Sequence, residues 1–313
     1  LADPVHRDIT GELVQAFRDQ GLAVGFYFSP DDFHFLHHQG NLISRCRPEA
    51  QPVNNPQIMQ HNQAQLRELM TRYAPVEVLF VDGPPEGLTD LAWELNPDVV
   101  ITRGAMETPE ITPSTQDGLP ETAASEPWEA CFTMGTSWQY KPTNESYLPG
   151  GHWIRTLIRT RATGGNMLLN VGPTPEGEIP SEQADILREI GLWLFVNGES
   201  IYQVRPREVI REESVWFTQS KSGDTVYAFV TERVWPYGEE RTITLRSVRA
   251  GERTRISVLG QNDQVLEYRP EVIPRTTWRQ DVEGLHITAT RAQRLYNDRT
   301  WPNPVVLKIE NPD

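Results

Sequence analysis

The stretch "NPQIMQHNQAQLRELMTRYAPVEVLFVDG" covers residues 55–83 and contains the pattern that decides the fold. Its first part, 55–75, predicts a helix that stops before Pro75, because a proline pushes the preceding residue out of helical geometry. Residues 76–82 form an apolar run that predicts a buried strand, and this run ends in Asp82. A helix followed directly by such a strand is typical of α/β proteins with a parallel sheet.

The same alternation extends to both sides of this stretch. Further helices are predicted over 9–21, 87–97, 151–165 and 181–202, and further strands over 22–29, 98–103, 128–134 and 166–171. These segments make five parallel strands, whereas a TIM barrel needs eight. The residues therefore predict either an open sheet or a barrel whose first strands lie outside this chain.

The composition changes near residue 205. Before it, residues 105–126 are rich in Pro, Thr, Glu and Ser and predict a long loop. After it, short alternating segments are separated by Gly, Asn, Asp and Pro, a pattern typical of an antiparallel β-sandwich. We therefore expect two domains, 1–204 and 205–313.

Charge and composition exclude several classes of partner. With 29 Lys and Arg against 43 Asp and Glu, the net charge is −14. Because an acidic surface repels phosphate, nucleic acid and anionic membranes are not expected partners. The chain has no apolar run of about 18 residues, so no membrane-spanning helix is expected.

The chain has two cysteines, Cys46 and Cys131. They have no characteristic spacing, which predicts isolated thiols rather than a disulfide.

Candidate functional residues follow the predicted parallel strands, since active sites gather at the carboxyl ends of such strands. Tyr27, Asp82 and Arg103 occupy these positions. Asp82 is a candidate nucleophile, general base or metal ligand, or it caps the Gly-Pro-Pro turn that follows it. Arg103 either contacts a hydroxyl-rich or carboxylate ligand or forms an ion pair with Asp82 or Glu129.

A second carboxylate would complete a glycosidase pair, because two carboxylates flanking a glycosidic bond hydrolyse it with retention or inversion. The candidates are Glu107, Glu110 and Glu129.

Metal and organic cofactors are not expected. The histidines at 34, 37 and 38 fall in a predicted loop, and their spacing does not match a recognised metal scaffold. The chain also has no phosphate-binding loop motif.

Several segments resemble a known family. They are "RDITGELVQAFRDQGLAVGFYFSPDDF" (7–33), "LFVDG" (79–83), "PWEACFTMGTSWQY" (127–140), "GGNMLLNVGPTPEGEIP" (164–180) and "LWLFVNGESIY" (192–202). Their order and content are similar to those of glycoside hydrolase family 29, the α-L-fucosidases.

The resemblance implies a fold and an activity. The fold would be a (β/α)8-like TIM barrel followed by a C-terminal β-sandwich. The activity would be that of a retaining exo-α-L-fucosidase, which releases L-fucose from glycoconjugates or oligosaccharides without metal or organic cofactor. Asp82 would be the nucleophile, and Glu110 the acid/base, with Glu129 as second choice. The implied substrate-binding residues are Tyr27, Arg103 and Trp138.

Departures from the family pattern leave alternatives open. The His-His-Asp-Gly-Phe motif of the family's first barrel strands is absent, so a preceding segment or a second chain would complete the barrel. A homo-oligomer is also open. Without completion, the chain would be a non-catalytic carbohydrate-binding or remnant protein. Leu79, Phe33 and Gln139 replace the family's usual Trp, Trp and Gly, which suggests a related α-L-hexoside such as an L-galactoside. The resemblance favours a secreted, periplasmic or lysosome-like compartment.

Overall fold

The computed structural model describes residues 7–40, 47–103, 110–111, 119–231, 234–267, 269–293, 300–301 and 303–313, with the backbone alone at 110–111 and 300–301. The chain divides into two compact units, Leu1–Thr108 and Pro109–Asp313. Within the described ranges, no helix combines the length and apolar character needed to cross a bilayer.

The first unit alternates helices with parallel strands. Its helices are α1 (Ile9–Asp19), α2 (Phe33–His38), α3 (Pro56–Arg72) and α4 (Thr89–Leu95), with 3₁₀ turns at Pro48–Ala50 and Pro52–Asn54. Its strands are β1 (Gly25–Phe28), β2 (Val78–Val81) and β3 (Val100–Thr102). They form a parallel sheet in the order β1–β2–β3, which confirms three of the predicted strands.

Helix α3 shows why this unit folds as it does. The Asn55 side chain accepts hydrogen bonds from the N–H groups of Gln57 and Ile58, which satisfies donors of the first turn. Pro56 follows at the first helical position, where no N–H is needed. One face of the helix is buried at every fourth residue: Ile58, Asn62, Leu66 and Met70.

The two faces of the sheet have different roles. Leu79, Val81 and Ile101 are buried in one cluster with residues of α3 and α4. Because side chains alternate along a strand, Tyr27 and Val100 point to the other face. Both are largely exposed, at 64% and 48%.

Helix α2 corrects the predicted loop around the histidines. Asp32 caps it, since its Oδ1 accepts a hydrogen bond from the Phe35 N–H at 2.8 Å. The helix is only six residues long, so it shows too few turns for a helical period to be visible in the sequence.

The second unit begins with parallel strands and helices. The strands β4 (Glu110–Ile111), β5 (Trp128–Thr133) and β6 (Gly165–Asn170) form a parallel sheet in that order. The helices are α5 (Gly150–Ala162) and α6 (Ser181–Asn197), followed by a 3₁₀ turn at Gly198–Ser200. Strands β5 and β6 confirm the predictions to within one residue. Strand β4 corrects the prediction of an uninterrupted loop over 105–126.

Antiparallel strands make up the rest of the second unit. They are β7 (Val204–Arg205), β8 (Arg211–Glu212), β9 (Val215–Ser220), β10 (Thr225–Val230), β11 (Trp235–Pro236), β12 (Glu240–Leu245), β13 (Arg255–Val258), β14 (Thr277–Gln280), β15 (Leu285–Thr290), β16 (Thr300–Trp301) and β17 (Val305–Glu310). One sheet has the order β13–β17–β10–β9–β7 with β8 beside β9, another has the order β12–β15–β14, and β11 pairs with β16.

Two apolar clusters pack against the antiparallel strands of this unit. Phe217 and Ala228 of the larger sheet share one cluster with Leu245 and Ile287 of the smaller sheet. A second cluster joins Trp193 of α6 to the outer side of the larger sheet, and it also includes α5 residues.

The predicted domain boundary at 204/205 coincides with the first antiparallel strand. It lies inside the second compact unit, and the division into two domains at this point stays a prediction.

The shared sheet cluster gives a prediction for stability. Ile287 is fully buried, and Ile287→Ala should lower the free energy of unfolding by about 2–5 kcal/mol, because it leaves a cavity between two packed sheets. Val282→Ala, in the turn before the same strand, is the matched control: that side chain is 99% exposed and its loss should change stability by less than about 0.5 kcal/mol. Denaturant unfolding measures both, and equal effects would contradict the proposed core.

Candidate active site

Asp82 lies where the carboxyl ends of three strands meet. It follows β2 directly, and its N–H donates to the Phe28 carbonyl at the end of β1, at 2.8 Å. The Val81 N–H donates to the Arg103 carbonyl just after β3, at 3.1 Å. The parallel register therefore fixes the backbone of Asp82 from both neighbouring strands.

The Asp82 carboxylate is mostly buried, and the side chains of Tyr27 and Arg103 contact it. The Tyr27 hydroxyl donates a hydrogen bond to Oδ2. The Nη2 of Arg103 lies 3.2 Å from Oδ1. The predicted strand-end residues Tyr27, Asp82 and Arg103 are thus brought together, and the ion-pair alternative for Arg103 is observed with Asp82. A carboxylate held at both oxygens has a fixed orientation, as nucleophilic or general-base chemistry requires.

Phe80 supports the two partners of Asp82. Its ring stacks on the Tyr27 ring, with centroids 5.3 Å apart and planes inclined by 17°. The Arg103 guanidinium carbon lies 5.9 Å from the same ring centroid, within reach of a cation–π contact. One aromatic side chain therefore limits the movement of both groups that hold the carboxylate.

The glycine after Asp82 has a specific steric role. Gly83 has φ of +149°, a conformation that side-chain-bearing residues rarely adopt. A Cβ at this position would lie 2.9 Å from Cδ of Pro30. The turn after β2 therefore lies directly against the loop after β1.

Arg103 has an unusual backbone conformation. Its φ is +23°, which is rare for a residue other than glycine, and backbone strain of this kind is concentrated at functional sites.

Leu79, which replaces the family's usual Trp, does not affect ligand contacts. Leu79 is fully buried in the cluster on the helix side of the sheet. Tyr27, Phe80 and Asp82 belong to the opposite side. The expectation that Leu79 changes substrate contacts is therefore wrong, because strand alternation directs it away from them.

Glu129 lies in the second unit, on β5. Trp128 and Ala130 pack against the helices, so alternation places Glu129 on the opposite face of the sheet, beside Asn166 of β6. Burial raises the pKa of the Glu129 carboxyl. Within the described part of the chain the carboxyl has no hydrogen-bond partner that would counteract this effect. Glu129 therefore has the property that a general acid needs.

The other glutamate candidates are only partly defined. The backbone of Glu110 pairs with Cys131 on β5, and its side chain lies outside the described part of the structure. Glu107 lies outside it entirely. Cys131 itself is buried. Cys46 lies outside the described residues, and the expectation of isolated thiols stays a prediction.

Trp138 lies in a loop after β5 and is 39% exposed. Its carbonyl accepts a hydrogen bond from Nδ2 of Asn170, at the end of β6, at 3.3 Å. The loop is closed by Glu145, whose carboxylate accepts from the Thr136 N–H at 2.9 Å and from its hydroxyl at 2.8 Å. These contacts order the backbone of the loop, and the partly exposed indole offers an apolar surface to a ligand.

The glycine in "NVGP" brings two loops together. A Cβ on Gly172 would lie 2.8 Å from the Tyr140 nitrogen, so only glycine allows this approach. Gln183, at the start of α6, accepts from the Gly172 N–H at 3.0 Å and donates to the Tyr147 hydroxyl at 3.1 Å.

The histidines near α2 have contacts of their own. The Nε2 atoms of His34 and His38 are 3.0 Å apart on the exposed side of the helix. His61 of α3 approaches Oδ2 of Asp32 at 3.0 Å. Burial opposes ionisation of Asp32, but hydrogen bonds from the Phe35 N–H and from His61 outweigh it, so the pKa of Asp32 is lowered.

Within the described ranges, one group of three side chains has metal-ligand spacing: Asp281, Glu283 and His286. The hydrogen bond from His286, together with those from the Glu283 N–H and Arg279, lowers the pKa of Asp281 to about 2. The charge of Asp281 is thus already compensated by neighbouring groups. The expectation of no metal centre stays a prediction.

The interpretation of the sequence missed Asn62 and Glu145. Asn62 carries a readable signal, because it is a polar residue in an otherwise apolar stripe at every fourth position of α3. Glu145 carries none, since an acidic residue in a polar loop is common and its partner Thr136 is revealed only by the path of the loop.

Comparisons with known proteins identify the family of this chain. The model of the family described as α-L-fucosidase matches residues 2–199. The α-L-fucosidase of Dictyostelium discoideum is 31% identical over 245 residues, which are 72% of this chain and 52% of that protein. The plasma α-L-fucosidase of Rattus norvegicus is 33% identical over 258 residues, 74% and 53% of the two chains. The chain thus spans about half the length of these relatives.

Solved structures show the same fold. Isoenzyme 1 of α-L-fucosidase from Paenibacillus thiaminolyticus has a TM-score of 0.70 at 24% identity, covering 99% of this chain and 77% of that chain. A family 29 α-L-fucosidase from Bacteroides thetaiotaomicron, a trapped covalent intermediate with 2-fluoro-fucosyl fluoride, has a TM-score of 0.68 at 21% identity, with coverages of 99% and 72%. With the family match over residues 2–199, the chain belongs to the α-L-fucosidase family, glycoside hydrolase family 29.

Proposed function

We propose that this chain carries the catalytic nucleophile of a retaining exo-α-L-fucosidase that releases L-fucose from fucosylated oligosaccharides or glycoconjugates. One observation carries the proposal: Asp82 is a buried strand-end carboxylate whose two oxygens are held by Tyr27 and Arg103. The names of its relatives support the same activity.

The first chemical step uses the fixed orientation of Asp82. One of its carboxylate oxygens attacks the anomeric carbon, the bond to the leaving oxygen breaks, and an acid protonates that oxygen. In the second step the same acid, now a base, takes a proton from water. The water oxygen then displaces Asp82 from the sugar, and the configuration is retained overall. Tyr27 and Arg103 hold the carboxylate, and they and Trp138 are the proposed contacts to substrate.

The acid/base residue is Glu110 or Glu129. The family resemblance favours Glu110, which lies in the segment after the strand that ends near Arg103. The raised pKa of Glu129 favours the second choice, since a general acid must be protonated at the working pH. No metal or organic cofactor enters either version.

We infer that the parallel strands of this chain contribute to a (β/α)8-like barrel and that the antiparallel sheets form a sandwich. In each parallel sheet one face packs on helices, while Tyr27, Val100 and Leu168 on the opposite face are exposed. A barrel interior would cover these residues. The apolar cluster shared by the two antiparallel sheets supports the sandwich.

Completion of the barrel requires further polypeptide, either a preceding segment or a second chain. Helix α1 supports this proposal, because Ile9, Leu13 and Phe17 lie on one side of it and are 56%, 55% and 48% exposed. An apolar stripe of this kind normally packs against a neighbouring element.

The main alternative is a carbohydrate-binding protein without hydrolytic activity. It is favoured by the 64% exposure of Tyr27, because one of the side chains that hold Asp82 is then open to water. A related α-L-hexoside, such as an L-galactoside, also remains a candidate substrate through Phe33 and Gln139.

Substitution of the nucleophile tests the proposed activity. Asp82→Asn should lower kcat/KM for an aryl α-L-fucoside by at least about 10⁴-fold, because the amide cannot form the glycosyl intermediate. The steady-state rate and the thermal unfolding curve are measured together on the complete natural protein. Asp90→Asn, the same change at an exposed position of α4, is the control and should be silent. Near-normal turnover by Asp82→Asn would exclude Asp82 as the nucleophile, whereas an unaltered protein that binds fucosides without hydrolysing them would favour the non-catalytic alternative.

Azide rescue distinguishes the two acid candidates. Azide should restore turnover of an activated aryl fucoside in the variant that lacks the acid/base, and the product should be the fucosyl azide of retained configuration, because azide opens the Asp82 intermediate. Glu110→Ala and Glu129→Ala are compared, with exposed Glu121→Ala as control. If Glu129 is the acid, Glu129→Gln should also remove the alkaline limb of the pH profile of kcat/KM. Rescue of neither variant would exclude both assignments.

Completion of the barrel is tested by mass. The native protein should show either one polypeptide longer than 313 residues or this chain in a stable complex with a second one. Intact-mass and native mass spectrometry of the protein isolated from its source measure this. A lone chain of 313 residues that is active as a monomer would contradict the proposal.

A further inference from the structure

Asn62 is a buried polar residue in an apolar stripe. It lies on α3 between Ile58 and Leu66, and all three are fully buried. Its Oδ1 has no hydrogen-bond partner among the described residues. Burial of an incompletely paired amide is unfavourable, so an apolar residue would pack at this position at least as well. The side chain therefore calls for an explanation beyond packing.

A side-chain hydrogen bond of Asn62 leads to the candidate site. Its Nδ2 donates to the carbonyl oxygen of Pro30 at 2.8 Å. Pro30 lies three residues after Tyr27, in the loop that follows β1. The adjacent residue of α3, His61, contacts Asp32 of the same loop at 3.0 Å. Helix α3 therefore contacts this loop at two points, Pro30 and Asp32.

The loop in turn lies against the residue that follows Asp82. A Cβ on Gly83 would lie 2.9 Å from Cδ and 3.3 Å from Cγ of Pro30. The proline ring therefore occupies the space directly beside the Gly83 backbone. Since Asp82 is joined to Gly83 by one peptide bond, a shift of Pro30 is transmitted to the backbone that carries the carboxylate.

We propose that Asn62 is a positioning residue that fixes Asp82 through Pro30 and Gly83. The proposal rests on the proposed role of Asp82 in hydrolysis. Asn62 itself is fully buried and does not reach a substrate. Its effect is to keep the Pro30 carbonyl turned towards α3, so that the proline ring stays against Gly83 and the Asp82 carboxylate stays between Tyr27 and Arg103.

The informative variant is Asn62→Leu. Leucine suits the stripe and removes the unpaired Oδ1, but it leaves the buried Pro30 carbonyl without a donor. The loop can satisfy that carbonyl only by moving towards water, and this movement withdraws the support from Gly83. The fold is retained, while the geometry at Asp82 is not.

Kinetics of Asn62→Leu on an aryl α-L-fucoside test the proposal in the complete natural protein. We expect kcat to fall at least about tenfold, because a misplacement of about 1 Å can cost about a hundredfold. KM should stay within about twofold and the melting temperature within a few degrees. Thr71→Val is the matched control: it removes a hydrogen bond of the same helix, from the Thr71 hydroxyl to the Arg67 carbonyl, and should leave kcat unchanged. An unchanged kcat in Asn62→Leu would overturn the proposal.

Two further measurements distinguish a purely structural role of Asn62 from a failure of the proposed function. If Asn62→Leu loses its cooperative unfolding transition, Asn62→Ala is measured in its place, and loss of folding in both would assign Asn62 a structural role only. If the wild type hydrolyses no fucoside, the proposed function fails, and hydrogen–deuterium exchange decides the positioning claim. Faster exchange of the peptides covering 27–36 and 79–88 in the variant supports it, and unchanged exchange in both peptides refutes it.

Discussion

Burial of the Asp82 charge is the constraint on which the first unit depends. A carboxylate removed from water needs hydrogen bonds and a compensating cation, and here they come from neighbouring strands. Tyr27 is supplied by β1 and Arg103 by the end of β3. These partners reach Asp82 only because the three strands are parallel and in register, so that their carboxyl ends meet at one edge. The site is therefore a direct consequence of the sheet topology.

Strand alternation separates packing from chemistry in both units. In the first unit, Leu79 packs on the helices while Tyr27 lies on the other face. In the second unit, Trp128 packs on the helices while Glu129 lies on the other face, where burial raises its pKa. Residues one position apart thus have unrelated roles. A substitution such as that at Leu79 can be interpreted only after its face of the sheet is known.

The sequence predicts elements that have a clear hydrophobic period or a clear end. It does not predict very short elements or contacts that depend on the path of the chain. The apolar run that stops at Asp82 was sufficient to place a carboxylate at a strand end, and Arg103 was correctly considered as its ion-pair partner. Helix α2 and strand β4 were missed, because six and two residues are too few to show a period. The contact between Pro30 and Gly83 was inaccessible, since it joins two loops separated by more than fifty residues.

The described contacts that orient Asp82 lie within the first unit, and this bears on what the proposed completing polypeptide would add. Tyr27 is 64% exposed, yet its hydroxyl already donates to the carboxylate. Covering this face would therefore leave the orientation of Asp82 unchanged. It would remove water, and since charges interact more strongly in a medium of lower dielectric constant, it would strengthen every electrostatic contact of the carboxylate. The proposed completing segment would thus act on Asp82 through solvent exclusion, while α3, Pro30 and Gly83 act on it through position.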